Sequence, residues 1–187
     1  NRYMITASVR RDGYSAFGVE NPRATFPSVA LGWVFSEENW LRGANNWLNY
    51  GKLRLSYGLN GNRDIGRYAA LAQLTSGLYE YIDPSTGNWY QTSQIYVSKL
   101  GNSHLRWEKT SAFNVGLDYT LFDNFVDGSI DYYGNTTNDL LVSRSLPRIT
   151  GFENINTNLG ELKNHGFEFL ANFHPVRNEN FKWDTTL

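Results

Sequence analysis

Hydrophobic and polar residues alternate with a period of two through most of the chain, the spacing that sends successive side chains to opposite faces of a β-strand. From Arg2 to Arg11, Tyr3, Ile5, Ala7 and Val9 share one face while Thr6, Ser8 and Arg10 take the other. Val29, Leu31, Trp33 and Phe35 continue the pattern, as do Leu53, Leu55 and Tyr57 against Lys52, Arg54 and Ser56. Phe113, Val115, Leu117, Tyr119 and Leu121 oppose Asn114, Gly116, Asp118 and Thr120. Val126, Ile130 and Tyr132 oppose Asp127, Ser129 and Asp131; Phe167, Phe169, Ala171 and Phe173 oppose Glu168, Asn172 and His174, with Leu170 the exception. A seventh strand begins at Phe181 and runs to the chain end. The pattern predicts an all-β protein of antiparallel strands.

A soluble sandwich and a membrane barrel both produce this alternation, with the apolar face turned to a core in one and to lipid in the other. Two further features separate them. The segments 105–122, 125–142 and 156–175 run on without a strong breaker, whereas soluble strands usually span about 5–6 residues. Connections also alternate in length. Short turns fall at Asp123-Asn124 and at Arg177-Asn178-Glu179-Asn180, and a link at 36–49 has a helical turn around Glu37–Leu41. Longer polar connections fall at 12–23, 60–104 and 147–155, and strand counting puts all three at one end. Short periplasmic turns and long extracellular loops belong to outer-membrane barrels. Seven strands, the last cut short, do not close an even-numbered barrel, so the sequence reads as a part of one.

Composition fits this reading. The 187 residues include no cysteine, 6 Trp, 12 Tyr, 11 Phe and 17 Gly, with 41% hydrophobic residues and a net charge of −1. That is a poor core inventory for a soluble domain and a suitable one for a wall with one lipid face and one wet face. The near-neutral charge argues against nucleic acid as a partner. Absence of cysteine excludes thiol nucleophiles, disulfide scaffolds and Cys-ligated zinc.

Six stretches in order, Arg2–Gly13 (RYMITASVRRDG), Thr25–Trp33 (TFPSVALGW), Leu53–Asn62 (LRLSYGLNGN), Leu105–Tyr119 (LRWEKTSAFNVGLDY), Ser129–Leu141 (SIDYYGNTTNDLL) and Asn158–Phe169 (NLGELKNHGFEF), resemble the C-terminal half of SusC/RagA-type TonB-dependent outer-membrane transporters. The resemblance implies a 22-stranded barrel of which residues 1–187 supply about seven strands of one barrel domain, with residues 60–104 as a long extracellular loop region. It implies location in the bacterial outer membrane, import of an oligosaccharide or peptide, a SusD-like surface lipoprotein as lid, and energy from a TonB complex through an N-terminal region not in this chain. No cofactor and no enzymatic activity are implied. A soluble β-sandwich carbohydrate-binding module is the alternative.

The glycine-rich stretch from Gly58 to Tyr68 has GxxxxG but continues Arg67-Tyr68 where a phosphate loop needs Lys-Ser/Thr, so a strand ending in a Gly/Asn turn accounts for it better. Asp118, Asp127, Asp131 and Glu168 fall on polar faces of neighbouring strands, where Arg54, Lys52, Arg10 and Arg106 offer partners and catalysis is not required. Asp127, Ser129 and Asp131 have the opening spacing of a calcium loop without its Gly or closing Glu, and His104, His165 and His174 are scattered. No catalytic or metal site is expected. The aromatics Tyr79, Tyr81, Trp89, Tyr90 and Tyr96 sit among Gly, Ser, Thr, Asn and Gln, a setting suited to a sugar, a peptide or the lid protein. The same rings also suit packing of the loop on itself, and the pattern leaves both open.

Overall fold

A computed structural model describes residues 1–15, 17, 20–44, 46–177 and 181–187. Eleven strands form among the described residues: β1 (Tyr3–Gly13), β2 (Arg23–Trp33), β3 (Leu48–Asn62), β4 (Gln73–Ile82), β5 (Trp89–Lys99), β6 (Glu108–Leu121), β7 (Val126–Asn138), β8 (Leu141–Ser145), β9 (Asn154–Asn158), β10 (Glu161–Arg177) and β11 (Lys182–Thr186). Seven of them make one antiparallel sheet in the order β1-β2-β3-β6-β7-β10-β11, while β4–β5 and β8–β9 are separate two-stranded ribbons. The ribbons are inserted after β3 and β7. With the described residues that follow β1, among them Tyr14 and Phe17, they lie at one end of the sheet, the loop end.

Register keeps the two faces distinct across every seam. Ile5 pairs with Leu31 and Leu31 with Leu55; Leu55 pairs with Val115, Val115 with Tyr132 and Tyr132 with Phe167. The opposite face carries Thr6, Ala30, Ser56, Asn114, Tyr133 and Gly166, each again paired with the next or its cross-strand neighbour. A one-residue slip would turn every apolar row to the polar side, which is why the alternation specifies the register so strongly.

On the apolar face, rings lie over glycines. An ideal Cβ at Gly134 would meet the Phe113 ring, at Gly51 the Phe35 ring, and at Gly128 the Leu170 carbonyl and the Tyr119 hydroxyl. Tyr119 Oη donates to the Leu170 carbonyl at 3.2 Å, tying β6 to β10 across β7. Phe113 meets Tyr132 edge-on at 5.5 Å, and Tyr132 meets Phe167 at 4.6 Å. Such ring pairs contribute about 0.5–1.5 kcal/mol each beyond area burial.

Several boundaries differ from the sequence expectation. Phe35 is not a strand residue: the chain leaves β2 at Trp33, and a 3-10 turn, Phe35–Glu37, folds the ring back over Gly51. The helical turn expected around Glu37–Leu41 is a pair of 3-10 turns, Phe35–Glu37 and Asn39–Ala44. The strand expected over 105–122 starts at Glu108, because Leu105 and Trp107 are buried in the loops. The one expected over 125–142 ends at Asn138, where Asp139 takes a left-handed φ of 60°. The 156–175 run breaks at Gly160, with φ 91°. Within 60–104, β3 continues to Asn62 and a ten-residue strand pairs with an eleven-residue one, so the segment is not irregular. The tight turn at Asp123-Asn124 is present, with Phe122, Asp123 and Asn124 at φ 53°, 57° and 63°. The turn expected at 177–180 falls on 178–180, outside the described residues.

Buried apolar residues concentrate at the loop end. Phe17, Ala24, Phe26, Ala70, Leu105 and Trp107 form one cluster, flanked by Tyr14, Leu59, Ile65 and Leu141. Leu105 has no exposed surface. The sheet itself has large apolar side chains on its surface, with Ile5 77% and Phe167 78% exposed, so none of the described residues covers that face.

Candidate functional site

The five aromatics singled out in the sequence all lie on the β4–β5 ribbon, and its register sorts them. Tyr81 pairs with Tyr90, Tyr79 with Thr92, Gly77 with Gln94 and Thr75 with Tyr96, which puts the four tyrosines on one face. Tyr79 stacks on Tyr81 at 5.9 Å and 20°, and Tyr81 on Tyr90 at 5.7 Å and 24°. Tyr96 lies over Gly77, where a Cβ would stand 3.0 Å from its ring. Trp89 pairs with Ile82 and belongs to the other face, with Leu74, Leu78, Ile95 and Val97. Although the tyrosines stack on each other, they remain 41–52% exposed, and Trp89 is 71% exposed. Packing of the loop on itself therefore accounts for only part of their surface.

The turn joining these strands is held by Asp83. Ser85 donates to Asp83 Oδ1 from its hydroxyl at 2.6 Å and from its backbone N–H at 2.8 Å. Donation by Ser85, hydroxyl first and then backbone, holds the Asp83 carboxyl below the usual aspartate range. Gly87, at φ 70°, closes the turn, and its N–H donates to the Asp83 carbonyl at 2.8 Å.

At its root the ribbon is fixed. The Gly101 backbone lies against residues 70–72, so close that a Cβ there would stand 2.6 Å from the Ala72 nitrogen. Asn102 N–H donates to the Ala70 carbonyl at 2.8 Å, and Asn102 Nδ2 to the Asn156 carbonyl on β9 at 2.9 Å. Asn158 joins the same junction: its Nδ2 donates to the carbonyls of Arg106 and Asp139, both at 2.8 Å, and its Oδ1 accepts from Arg106 N–H at 2.9 Å. Between the ribbon root, the 66–71 segment and β9 lies a cleft of about 170 Å³ whose lining includes Arg67, Gln73, Lys99, Asn154 and Asn156 beside apolar residues such as Leu71 and Ile155.

The polar face of the sheet brings two of the four sequence-selected carboxylates together. Arg54 Nε donates to both oxygens of Asp118 at 3.0 and 2.9 Å, and Arg54 Nη2 to both of Asp131 at 3.0 and 3.1 Å. One cation thus bridges two acids, and the three side chains stand on three strands, β3, β6 and β7. Asp127 instead meets His174 Nε2 at 2.6 Å, and His174 Nδ1 meets Asp184 Oδ1 at 2.6 Å. The alternation does not disclose that contact, because Asp184 lies opposite a bulge between Phe173 and Val176. Arg10 pairs with Asp12 and Arg106 with Asp139. No group of three His, Asp or Glu side chains suited to a metal ion occurs among the described residues.

A wall-like antiparallel sheet with an uncovered apolar face, a wet charged face and its long connections at one end is a stretch of transmembrane β-barrel. The family model described as TonB dependent receptor-like, beta-barrel matches residues 1–187. TonB-dependent receptor SusC of Bacteroides thetaiotaomicron is 40% identical over 186 residues, covering 98% of this chain and 18% of that protein. TonB-dependent receptor P39 of Formosa agariphila is 39% identical, covering 100% of this chain and 17% of that protein. Among solved structures, the RagAB peptide transporter aligns over 98% of this chain and 19% of its own with a TM-score of 0.81 at 32% identity. The RagAB peptide importer in its open-open state aligns with a TM-score of 0.83. The chain belongs to the TonB-dependent receptor-like β-barrel family and spans under a fifth of the length of the relatives it matches.

Proposed function

We propose that this chain is wall and loop of an outer-membrane importer that takes up a nutrient, an oligosaccharide or a peptide, with energy relayed by TonB. The observation that carries the reading is the match of the barrel family along the whole chain, together with a sheet whose apolar face none of the described residues covers. The apolar rows face lipid, the Arg54 face lines the lumen, and the loop end is extracellular, residues 60–104 being an extracellular loop region. The similar structure named as the RagAB peptide transporter supports a peptide as cargo, while a glycan cargo and a SusD-like surface lipoprotein as lid follow from the sequence resemblance. Catalysis has no part in this reading.

In it, the ribbon recognises cargo or lid. Stacked tyrosines offer a flat amphipathic face that suits a sugar ring or a peptide plane, and the Trp89 face suits a protein surface. Because the register separates Tyr90 from Trp89, each can be replaced alone in the full transporter. Tyr81→Ala with Tyr90→Ala is expected to lower uptake with lid binding intact, and Trp89→Ala to weaken lid binding. Unchanged uptake and unchanged lid binding in both variants would remove the ribbon from recognition.

A further inference from the structure

The cleft at the ribbon root is lined by two cations and no acid. Arg67 and Lys99 both line it, one from the turn after β3 and the other from the last residue of β5. No aspartate or glutamate lines it, and neither cation has an ion-pair partner among the described residues. Arg54 shows the contrast: on the wall, one guanidinium serves two carboxylates. At the cleft, two cations share a concave space with none. The remaining polar lining comes from the amides of Gln73, Asn154 and Asn156, which can donate to oxygen. Gln73 and Lys99 are register partners, and Asn102 ties this root to β9, so these donors stand on hydrogen-bonded strands.

We propose that this cleft binds one carboxylate of the imported substrate and so biases the transporter toward acidic cargo. A guanidinium grips a carboxylate through two parallel N–H donors, an ammonium adds a point charge, and neutral amides complete the ring without competing charge. A volume of about 170 Å³ takes a carboxylate with the carbons beside it, not a whole oligomer. The rest of the cargo then lies outside the cleft, on the side of the exposed ribbon. The stretch Gly58–Tyr68 thus contributes to anion recognition after all, through the Arg67 side chain and not through a phosphate loop. An acidic peptide and a uronic-acid oligosaccharide share this chemistry. Import rests on the reading above; binding at the cleft does not.

The test uses the full-length transporter in detergent and four probes in two pairs. One pair is a pentapeptide with a central glutamate and its glutamine counterpart; the other is trigalacturonate and its methyl ester. Within at least one pair the acidic member is expected to bind more tightly, by about tenfold per cation contact, and to lose that margin in 0.5 M salt. Arg67→Gln with Lys99→Gln should abolish the margin and leave the neutral member's affinity unchanged, while Lys99→Arg retains it. Which pair shows the margin tells peptide from glycan. Equal binding within both pairs, no binding of either acidic probe, or a margin that survives the double substitution overturns the inference. Both cations are exposed, and heat-modifiable migration of the barrel on gels checks that the variants fold. Uptake by whole cells is measured separately. Binding with the expected margin but no uptake of any probe would count against import and leave the cleft assignment standing.

Discussion

Replacing Gly134 by alanine tests whether rings over glycines hold the wall together. Gly134 on β7 faces Phe113 on β6 directly, and a Cβ there would stand 2.9 Å from Cζ and 3.1 Å from Cδ1 of the ring, with Cε1 closer still. Since carbon atoms pack best at about 3.5–4.0 Å, the ring has to swing off the strand, away from its edge contact with Tyr132. Overpacking of this kind costs about 1–3 kcal/mol. Alanine returns about 0.5–1 kcal/mol through the backbone entropy that glycine loses in a strand. The single substitution is therefore expected to destabilise by up to about 2.5 kcal/mol. With Phe113→Ala beside it the clash is gone, and the same substitution should stabilise by about 0.5–1 kcal/mol. The coupling between the two sites equals the overpacking, about 1–3 kcal/mol. Equilibrium urea unfolding of the full barrel in lipid vesicles, followed by tryptophan fluorescence for all four members of the cycle, measures it. Additivity within about 0.5 kcal/mol would refute the reasoning.

Arg54→Leu leaves Asp131, 14% exposed, and Asp118, 29% exposed, facing each other without their cation. Because Arg54 itself is 36% exposed, solvent screening limits the cost to about 1–3 kcal/mol, read in the same urea titration, and Asp118→Asn with Asp131→Asn should recover most of it. Asn158→Ala removes three hydrogen bonds at one junction and is expected to speed amide exchange in 105–107 and 139–160 while β6 and β7 stay protected, as mass spectrometry can show. Asp83, whose carboxyl titrates below the ordinary value of about 3.9, stabilises its turn above that value and loses the effect as pH falls through its lower folded value. Exchange protection at Ser85 and Thr86 should fall there in the native chain and show no such step in Asp83→Asn.

What the sequence disclosed follows from backbone geometry. Period-two alternation is fixed by the pleat, so the faces of β1, β2, β3, β6, β7 and β10 could be read from Ile5, Leu31, Leu55, Val115, Tyr132 and Phe167 before any pairing was known. The β4–β5 ribbon was hidden for the opposite reason. Its two faces are both half-apolar, tyrosines on one and Leu74, Leu78 and Ile82 on the other, so the alternation has almost no amplitude there. A turn signal was present in Asp83-Pro-Ser-Thr-Gly87, and it was the one local sign of a hairpin. Strand ends were misplaced where a single dihedral decides them, as at Asp139. The cleft residues Arg67, Lys99 and Asn156 come from three separate segments, and no spacing rule joins them.

A wall with lipid on one side and water on the other has no interior, so the apolar residues that do find one gather where the loops meet. That placement has a consequence for recognition. Ala70 precedes the ribbon and Leu105 and Trp107 follow it, so both legs enter the same buried cluster, which Phe17 and Phe26 complete from the first loop and β2. An isolated two-stranded ribbon is marginal in water; this one is anchored at its root and open along its length. A rotation about the root would move the Tyr79–Tyr81–Tyr90 ladder far and the Arg67–Lys99 cleft little, because the ladder is remote from the anchored end and the cleft adjoins it. Stacking tolerates such movement, because an aromatic face accepts a ring or a peptide plane over a range of offsets. A two-cation grip on a carboxylate does not, because its hydrogen bonds fail within a few tenths of an ångström or a few tens of degrees. In the proposed reading, the exacting contact thus lies beside the hydrogen-bonded root and the forgiving one along the exposed ribbon, a division that suits capture of a flexible cargo by its charge first and its planes second.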